Sequence, residues 1–496
     1  MNRFEKSLSV VTGMIPFVTA SVLSIFLIIK IPLFHEHEHY FLPYLNAKYI
    51  LPSVAFIVAV IGTGVAVARI ENNYLKNVVI FVIALCPRVF IIQLFKQQLY
   101  PFSDFLWSWD VALGAREGLS YAAHLPFPAY NVWAWFEFLL TRFFPKTYLS
   151  VLLTNSVIDS LIAVCISMLT NMLIKSKRCS IMAGVLYALF PSAILYCTIG
   201  TPEFVAILFN LIAIIFLIKS YRYGDGKKLG YVFAAGIVFG ISSSFKSFSI
   251  VIIVAYLLVE ILYIRIKVGV LEFFKEGIIL FFAFFAVKRI ILMIVSKWLG
   301  TDLSQYSSGV LYHQLLVGLN TEGEGQIHLG TLSRGFWNTF LENGYNSSAA
   351  GEHAKQLLFE NWHNHIADVP LLLEQKIVWA WQDDLIPIHY FLNLMSVDGT
   401  VHHRIYECIK NVVPTISQAM YASMCVCGVA SVIDDFRQTD TNREWTFIKL
   451  IIFGYFVLLL IIEAQSRYKC LIIPLICIMG ARCITKCWDT GIKRLR

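Results

Sequence analysis

Residues 203–222 read Glu-Phe-Val-Ala-Ile-Leu-Phe-Asn-Leu-Ile-Ala-Ile-Ile-Phe-Leu-Ile-Lys-Ser-Tyr-Arg. Between Glu203 and Lys219 the one polar side chain is Asn210, so the stretch offers water no face, neither at helical spacing nor by strand-like alternation. A helix of about 20 such residues crosses a hydrocarbon core of about 30 Å. Comparable runs near 10–34, 50–69, 77–96, 147–174, 180–199, 229–246, 247–264, 276–298, 411–432, 447–463 and 470–486, together with 203–220, predict about 12 spans. Inside lipid every backbone group needs an internal partner, and the short alternating segments of a membrane barrel are absent, so the spans are helices. The composition agrees. Of 496 residues, 58% are hydrophobic and 15% charged, and a mean hydropathy of +0.68 leaves too few charges to solvate a globular surface.

The net charge of +8 does not point to nucleic acid, because the basic residues sit in short loops and no nucleic-acid motif accompanies them. They alternate along the chain: Arg69 and Lys76; Lys175, Lys177 and Arg178; Lys219, Arg222, Lys227 and Lys228; Arg265, Lys267 and Lys275; Arg437, Arg443 and Lys449. Such loops face the cytoplasm, which places both termini inside and the opposite connections outside. Arg3 and Lys6 precede an apolar run too long for a cleaved signal, so a retained first span is expected. The 11 cysteines lie mostly in apolar segments without disulfide or zinc spacing and read as small buried hydrophobes. The fold expected is an all-α polytopic membrane protein with interfacial helices and an extracytoplasmic loop domain. Its divisions are two N-terminal spans in 1–76, a core over 77–298 with a first large outer loop at 97–146, a loop domain at 299–410, and C-terminal spans in 411–496.

Two outward features carry chemistry. The first follows the third span: Tyr100-Pro-Phe-Ser-Asp-Phe-Leu-Trp-Ser-Trp-Asp110, running on to Glu117. Ser103 and Asp104 after Pro101 suit a helix cap, with the helix starting near Phe105. On that helix Asp110 and Glu117 share a face, while Asp104 stands about 240° from Asp110. Aromatic neighbours desolvate a carboxylate here and raise its basicity, which suits it to take a proton from an attacking hydroxyl or amine. A capping Asp104 and a solvated Asp110 are the plainer alternative.

The second feature is Glu463-Ala-Gln-Ser-Arg-Tyr-Lys469 between the last two spans. The Arg467 fork fits a phosphate diester or a carboxylate, and Tyr468 adds a hydroxyl; an interfacial Arg-Tyr anchor has the same composition. Within the spans, Asp159, Lys246, Glu260 and the pair Lys288-Arg289 need partners, an aqueous cavity or a snorkelling path. Lys246, near an outer helix end, is placed to reach a lipid phosphate. His35-Glu-His-Glu-His39 invites a metal, but a polar cap on the first span explains it as well, and no metal or other cofactor is expected. The pairs His363/His365 and His402/His403 are weak signals for an outer base.

The Pro-x-Ser-Asp sequence after an early span, the continuation from Gly118 to Tyr130, and the helix ends Leu189-Phe-Pro-Ser192 and Thr201-Pro-Glu203 form one pattern with the loop Val317-Gly-Leu-Asn320 and the late Glu-x-Gln-x-Arg-Tyr. Over about residues 77–486 that pattern resembles the bacterial GT-C glycosyltransferases, in the branch related to protein O-mannosyltransferases and the lipid A aminoarabinose transferase. The resemblance implies transfer of a sugar from a polyprenyl-phosphate carrier to an envelope acceptor on the outer face of the cell membrane, by inverting single displacement. It implies Asp104 as the catalytic carboxylate with Asp110 as a second, and Arg467 and Tyr468, with Lys246, at the carrier phosphate. The chain departs from the pattern in carrying two spans ahead of the acidic loop and in lacking an adjacent Asp-Glu pair there. A flippase or transporter of lipid-linked sugars, an oligosaccharide polymerase or ligase, and a non-catalytic assembly factor are the competing readings.

Overall fold

The computed structural model describes residues 3–28, 45–118, 121–122, 125–267, 270–306, 309–325, 332–395, 402–437 and 442–495; the His35–His39 cluster lies outside them. Among the described residues every regular element is helical. In chain order these are α1 (Arg3–Ile28), α2 (Ile50–Ala68), α3 (Asn73–Phe95), α4 (Asp104–Leu113), α5 (Pro128–Phe143), α6 (Tyr148–Ile174), α7 (Lys177–Ala188), α8 (Pro191–Tyr196), α9 (Glu203–Ser220) and α10 (Asp225–Phe245). They continue with α11 (Ser249–Lys267), α12 (Val270–Leu299), α13 (Val310–Gly318), α14 (Gly335–Glu342), α15 (Ser347–His365), α16 (Val369–Trp381), α17 (Ile386–Met395), α18 (His403–Arg437), α19 (Arg443–Ile461) and α20 (Ile473–Leu495).

Nine of the described helices are long and apolar enough to cross a membrane: α1, α2, α3, α6, α9, α10, α12, α18 and α19. Two predicted spans, 180–199 and 470–486, depart from the expectation of about 12. The run at 180–199 is not one helix. α7 ends at Ala188, Phe190 is extended (φ −71°, ψ 116°), and α8 restarts at Pro191, because proline has no N–H to continue the ladder and disfavours helix in the residue before it. At 247–264 the expected span is met by α11, an unbroken helix of 19 residues over Ser249–Lys267. The last span begins as a 3-10 turn over Ser466–Leu471 before α20 starts. α20 then carries Arg482 and Lys486, which pair with Asp435 (2.5 Å) and Asp434.

Close helix contact follows from small residues. A Cβ at Gly236 would lie 2.7 Å from Leu280 O, and one at Gly240 2.8 Å from Phe284 O, so this Gly-x-x-x-Gly face lets α10 and α12 touch backbone to backbone. Several of the intramembrane charges are paired. Arg88 Nε lies 2.5 Å from Asp159 Oδ2, with Tyr187 OH donating to Oδ1 at 2.5 Å, all three buried. Glu260 pairs with Arg443, and with Lys228 at 3.9 Å. Arg222 meets Glu444 at 2.8 Å. These last pairs collect at the ends of α9, α10 and α19 opposite the turn at 463–471.

The segment between α12 and α18 is mostly helix, and one histidine locks it to α5. His313 is buried against Phe336 (ring centroids 4.7 Å), Trp337 (5.9 Å) and Phe127 (6.0 Å). Burial holds its imidazole down at about 4. The folded pKa lies below the unfolded one, so between them the unfolded chain binds the extra proton and stability falls as pH drops through 6.5 toward 4. At pH 5 the loss attributable to His313 is about 2 kcal/mol. His313→Phe is expected to flatten the fall in melting temperature between pH 7.5 and 5; an unchanged slope would show that the ring is not buried neutral.

Candidate active site

Sequence creates the first half of the site at the start of α4. Ser103 sits at φ 52° and ψ −137°, a backbone strained for a residue with a Cβ, and Asp104 becomes the first helical residue. This corrects the expected cap: the helix starts one residue earlier, the side chain of Ser103 caps nothing, and Asp104 stands in the first turn, where the helix dipole favours a negative charge. The half-buried Asp104 accepts a hydrogen bond from Tyr130 OH on α5, at 2.9 Å to Oδ2. Burial first, then the charge of Asp104, raises the Tyr130 phenol well above its ordinary range, so it remains a donor.

The second half comes from the turn after α19. Arg467 is 8% exposed. Its Nη1 donates to Tyr390 OH (3.0 Å) and its Nη2 to Tyr468 OH (3.3 Å), while Tyr468 OH donates to Glu463 Oε2 (2.8 Å). Arg467 Nε is buried with no hydrogen-bond partner, and no carboxylate lies within 4.0 Å of the guanidinium among the described residues. Tyr130 senses both Asp104 and Arg467, and Tyr390 senses Arg467, Asp104, Glu463 and Glu203, so the two halves form one locus. Phe102 packs edge-on against Tyr390 at 5.4 Å and closes the seam between α4 and α17.

Lys246 joins them. It follows α10 in extended conformation, reaches Glu203 Oε1 at 3.0 Å, and lies 5.2 Å from the Tyr468 ring centroid. Glu203 Oε2 is buried without a partner among the described residues. The structure thus brings Asp104, Lys246, Arg467 and Tyr468 together. Asp110 is not brought in beside Asp104: it lies about 9 Å further along α4 and about 240° around it. Nor does Glu117 share its helix face as expected, because α4 stops at Leu113 with Gly114 at φ 116°.

Sequence reading missed what holds the turn. Lys469 donates to the carbonyls of Ala380 and Asp383, and Ser466 Oγ to Asp383 Oδ1 at 3.0 Å. Lys376 donates to Gly318 O and, at 2.6 Å, to Ile462 O, and Ala464 N reaches Gly325 O at 3.1 Å. Burial lowers Lys376 to about 7. A Cβ at Gly318 would lie 2.2 Å from Ile461 O, which explains the glycine in Val317-Gly-Leu-Asn320. These partners lie 58 or more positions apart, so local pattern could not pair them. The glutamates and tyrosines of the locus were visible as residues but not as neighbours. His365 Nδ1 lies 3.3 Å from Asp368 at the surface and takes no part in the locus.

No family model matches the chain, and no curated protein matches it. Among solved structures, it is similar to the crystal structure of the oligosaccharyltransferase of Archaeoglobus fulgidus, described as a complex with Zn and sulfate, with a TM-score of 0.46 and 12% identity over 84% of this chain and 50% of that one. The chain thus spans about half the length of that protein, and the likeness is too distant to assign an activity.

Proposed function

We propose that the protein is a membrane glycosyltransferase that moves a sugar from a polyprenyl-phosphate carrier to an envelope acceptor (glycan, teichoic-type polymer, lipid or protein) on the outer face of the cell membrane. The observation that carries the reading is Arg467, a guanidinium only 8% exposed, with Nε unpaired and no carboxylate against it. A buried charge without a counter-ion costs several kcal/mol, a cost that an anionic ligand removes when it binds. The tyrosine hydroxyls that hold the fork leave its charge unneutralised.

In this reading Asp104 takes the proton of the acceptor hydroxyl as its oxygen attacks the anomeric carbon. The bond from that carbon to the carrier phosphate breaks, its electron pair passes to the phosphate oxygen, and Arg467 with Tyr468 and Lys246 stabilises the anion that leaves. One displacement inverts the sugar. Tyr130 fixes the Asp104 carboxylate, and Glu203 is the resident counter-ion of Lys246 until phosphate arrives. That Asp159 and Glu260 are paired with Arg88 and Arg443 supports this reading over a transporter that would use them as a pathway.

The test is purified protein in lipid discs with a polyprenyl-phosphate carrier bearing labelled sugar, supplied with envelope material from a deletion strain. Label is expected in one acceptor and absent without the protein. Carrier that crosses the bilayer of a vesicle with its sugar still attached, and no label transferred, would overturn the transferase reading in favour of a flippase.

A further inference from the structure

We infer that the site-side half of α12 carries a second anion site, distinct from the Arg467 locus, that seats the headgroup of an anionic phospholipid. α12 is 30 residues long, about 45 Å. Only 22% of its most apolar window is buried inside the protein, so most of that helix faces lipid. A cavity of about 410 Å³ runs along one side of it, lined by Arg289, Leu292, Met293, Ser296, Lys297 and Asp302. The first five recur at steps of three and one, which keeps them on a single face.

Two cations on that face are held by no close ion pair. Neither Arg289 nor Lys297 forms an ion pair within 4.0 Å among the described residues. Asp302, at the mouth, stays charged: its Oδ1 accepts from the neutral donors Ser304 N (3.0 Å) and Ser304 Oγ (2.7 Å), and its carboxylate faces Arg289 beyond ion-pair distance. The rim is fixed rather than loose, since Thr301 Oγ1 meets Tyr121 OH at 2.7 Å, and Arg116 covers the Trp298 ring at 4.7 Å.

Depth decides the ligand. A helix of about 45 Å exceeds a hydrocarbon core of about 30 Å, and equal overhang at both ends puts the site-side boundary near residue 294. Lys297 then lies among headgroups and Arg289 about 8 Å inside, close enough for its stem to carry the guanidinium up to a phosphate. Leu292 and Met293 line the cavity between them, beside acyl chains. Two cations against one carboxylate leave the cavity net positive, which suits one phosphodiester with net negative charge. A zwitterionic lipid would bring its ammonium against Lys297.

The experiment is native mass spectrometry of the full chain released from discs of phosphatidylglycerol and phosphatidylcholine with matched acyl chains. The wild type is expected to retain phosphatidylglycerol with about fivefold preference, from the one net positive charge left by two cations and Asp302. Arg289→Gln with Lys297→Gln should bring that preference to about parity, Arg289→Lys should keep most of it, and Asp302→Asn should raise it. Circular dichroism of each variant checks the fold. Equal retention of both lipids by the wild type, or a preference unmoved in the double variant, overturns the site. So does displacement of the retained lipid by millimolar glycerol phosphate, which would make it a free-phosphate site, or by polyprenyl phosphate, which would assign the cavity to the carrier.

Discussion

Arg467→Lys is expected to lower sugar transfer by about 10²- to 10³-fold while the protein inserts and folds normally, because lysine keeps the charge but loses the planar fork that meets a phosphate with two parallel donors. The loss should fall on turnover more than on carrier affinity, since the anion that gains most from the fork is the one leaving. Arg467→Met makes the sharper contrast. The guanidinium is buried without a carboxylate partner, so an apolar residue of similar volume removes a desolvation cost. The Met variant is therefore expected to melt at a higher temperature than the wild type, by about 1–4 kcal/mol of added stability, while losing transfer. Two measurements decide this: labelled-sugar transfer and thermal melting of purified protein. A Lys variant as active as wild type, or a Met variant that is destabilised, would make Arg467 a structural anchor of the turn.

Asp104→Asn should reduce transfer by about 10²- to 10⁴-fold, the range of a lost general base. Asparagine keeps the volume and still accepts the 2.9 Å hydrogen bond from Tyr130 through its amide oxygen, so melting temperature is expected to stay within about 1 °C of wild type. Asp110→Asn and Glu203→Gln belong in the same experiment. Asp110, on another face of α4, is expected to be dispensable for turnover. Loss of Glu203 is expected to tighten carrier binding, because Lys246 is then freed from its 3.0 Å partner. More than about a tenth of wild-type turnover in folded Asp104→Asn would remove Asp104 from the chemistry and move the search to Glu203.

The helical, membrane-spanning character was legible in runs such as 203–220, because hydropathy is a sum over neighbours and needs no tertiary information. The exceptions show where that sum stops. Mean hydropathy over 180–199 is blind to Pro191, whose missing N–H splits the run into α7 and α8. At 470–486 it is blind to Asp434 and Asp435 on α18, which let α20 carry Arg482 and Lys486.

By itself the sequence determined which residues carry charge in apolar surroundings and on which connections they lie: Asp104, Lys246, Arg467 and Tyr468 were each marked by local composition. Only the tertiary structure decided which of them meet and which are already neutralised. Asp159 is spent on Arg88 from a separate helix, and Asp110 is turned away from Asp104 by the pitch of α4. Arg467 is left without a carboxylate because Tyr390 and Tyr468 fill its surroundings with hydroxyls. Whether a buried charge is a strut or a receptor depends on the sign and distance of what faces it, and in a helical membrane protein those partners come from other helices, whose separation along the chain conceals the pairing.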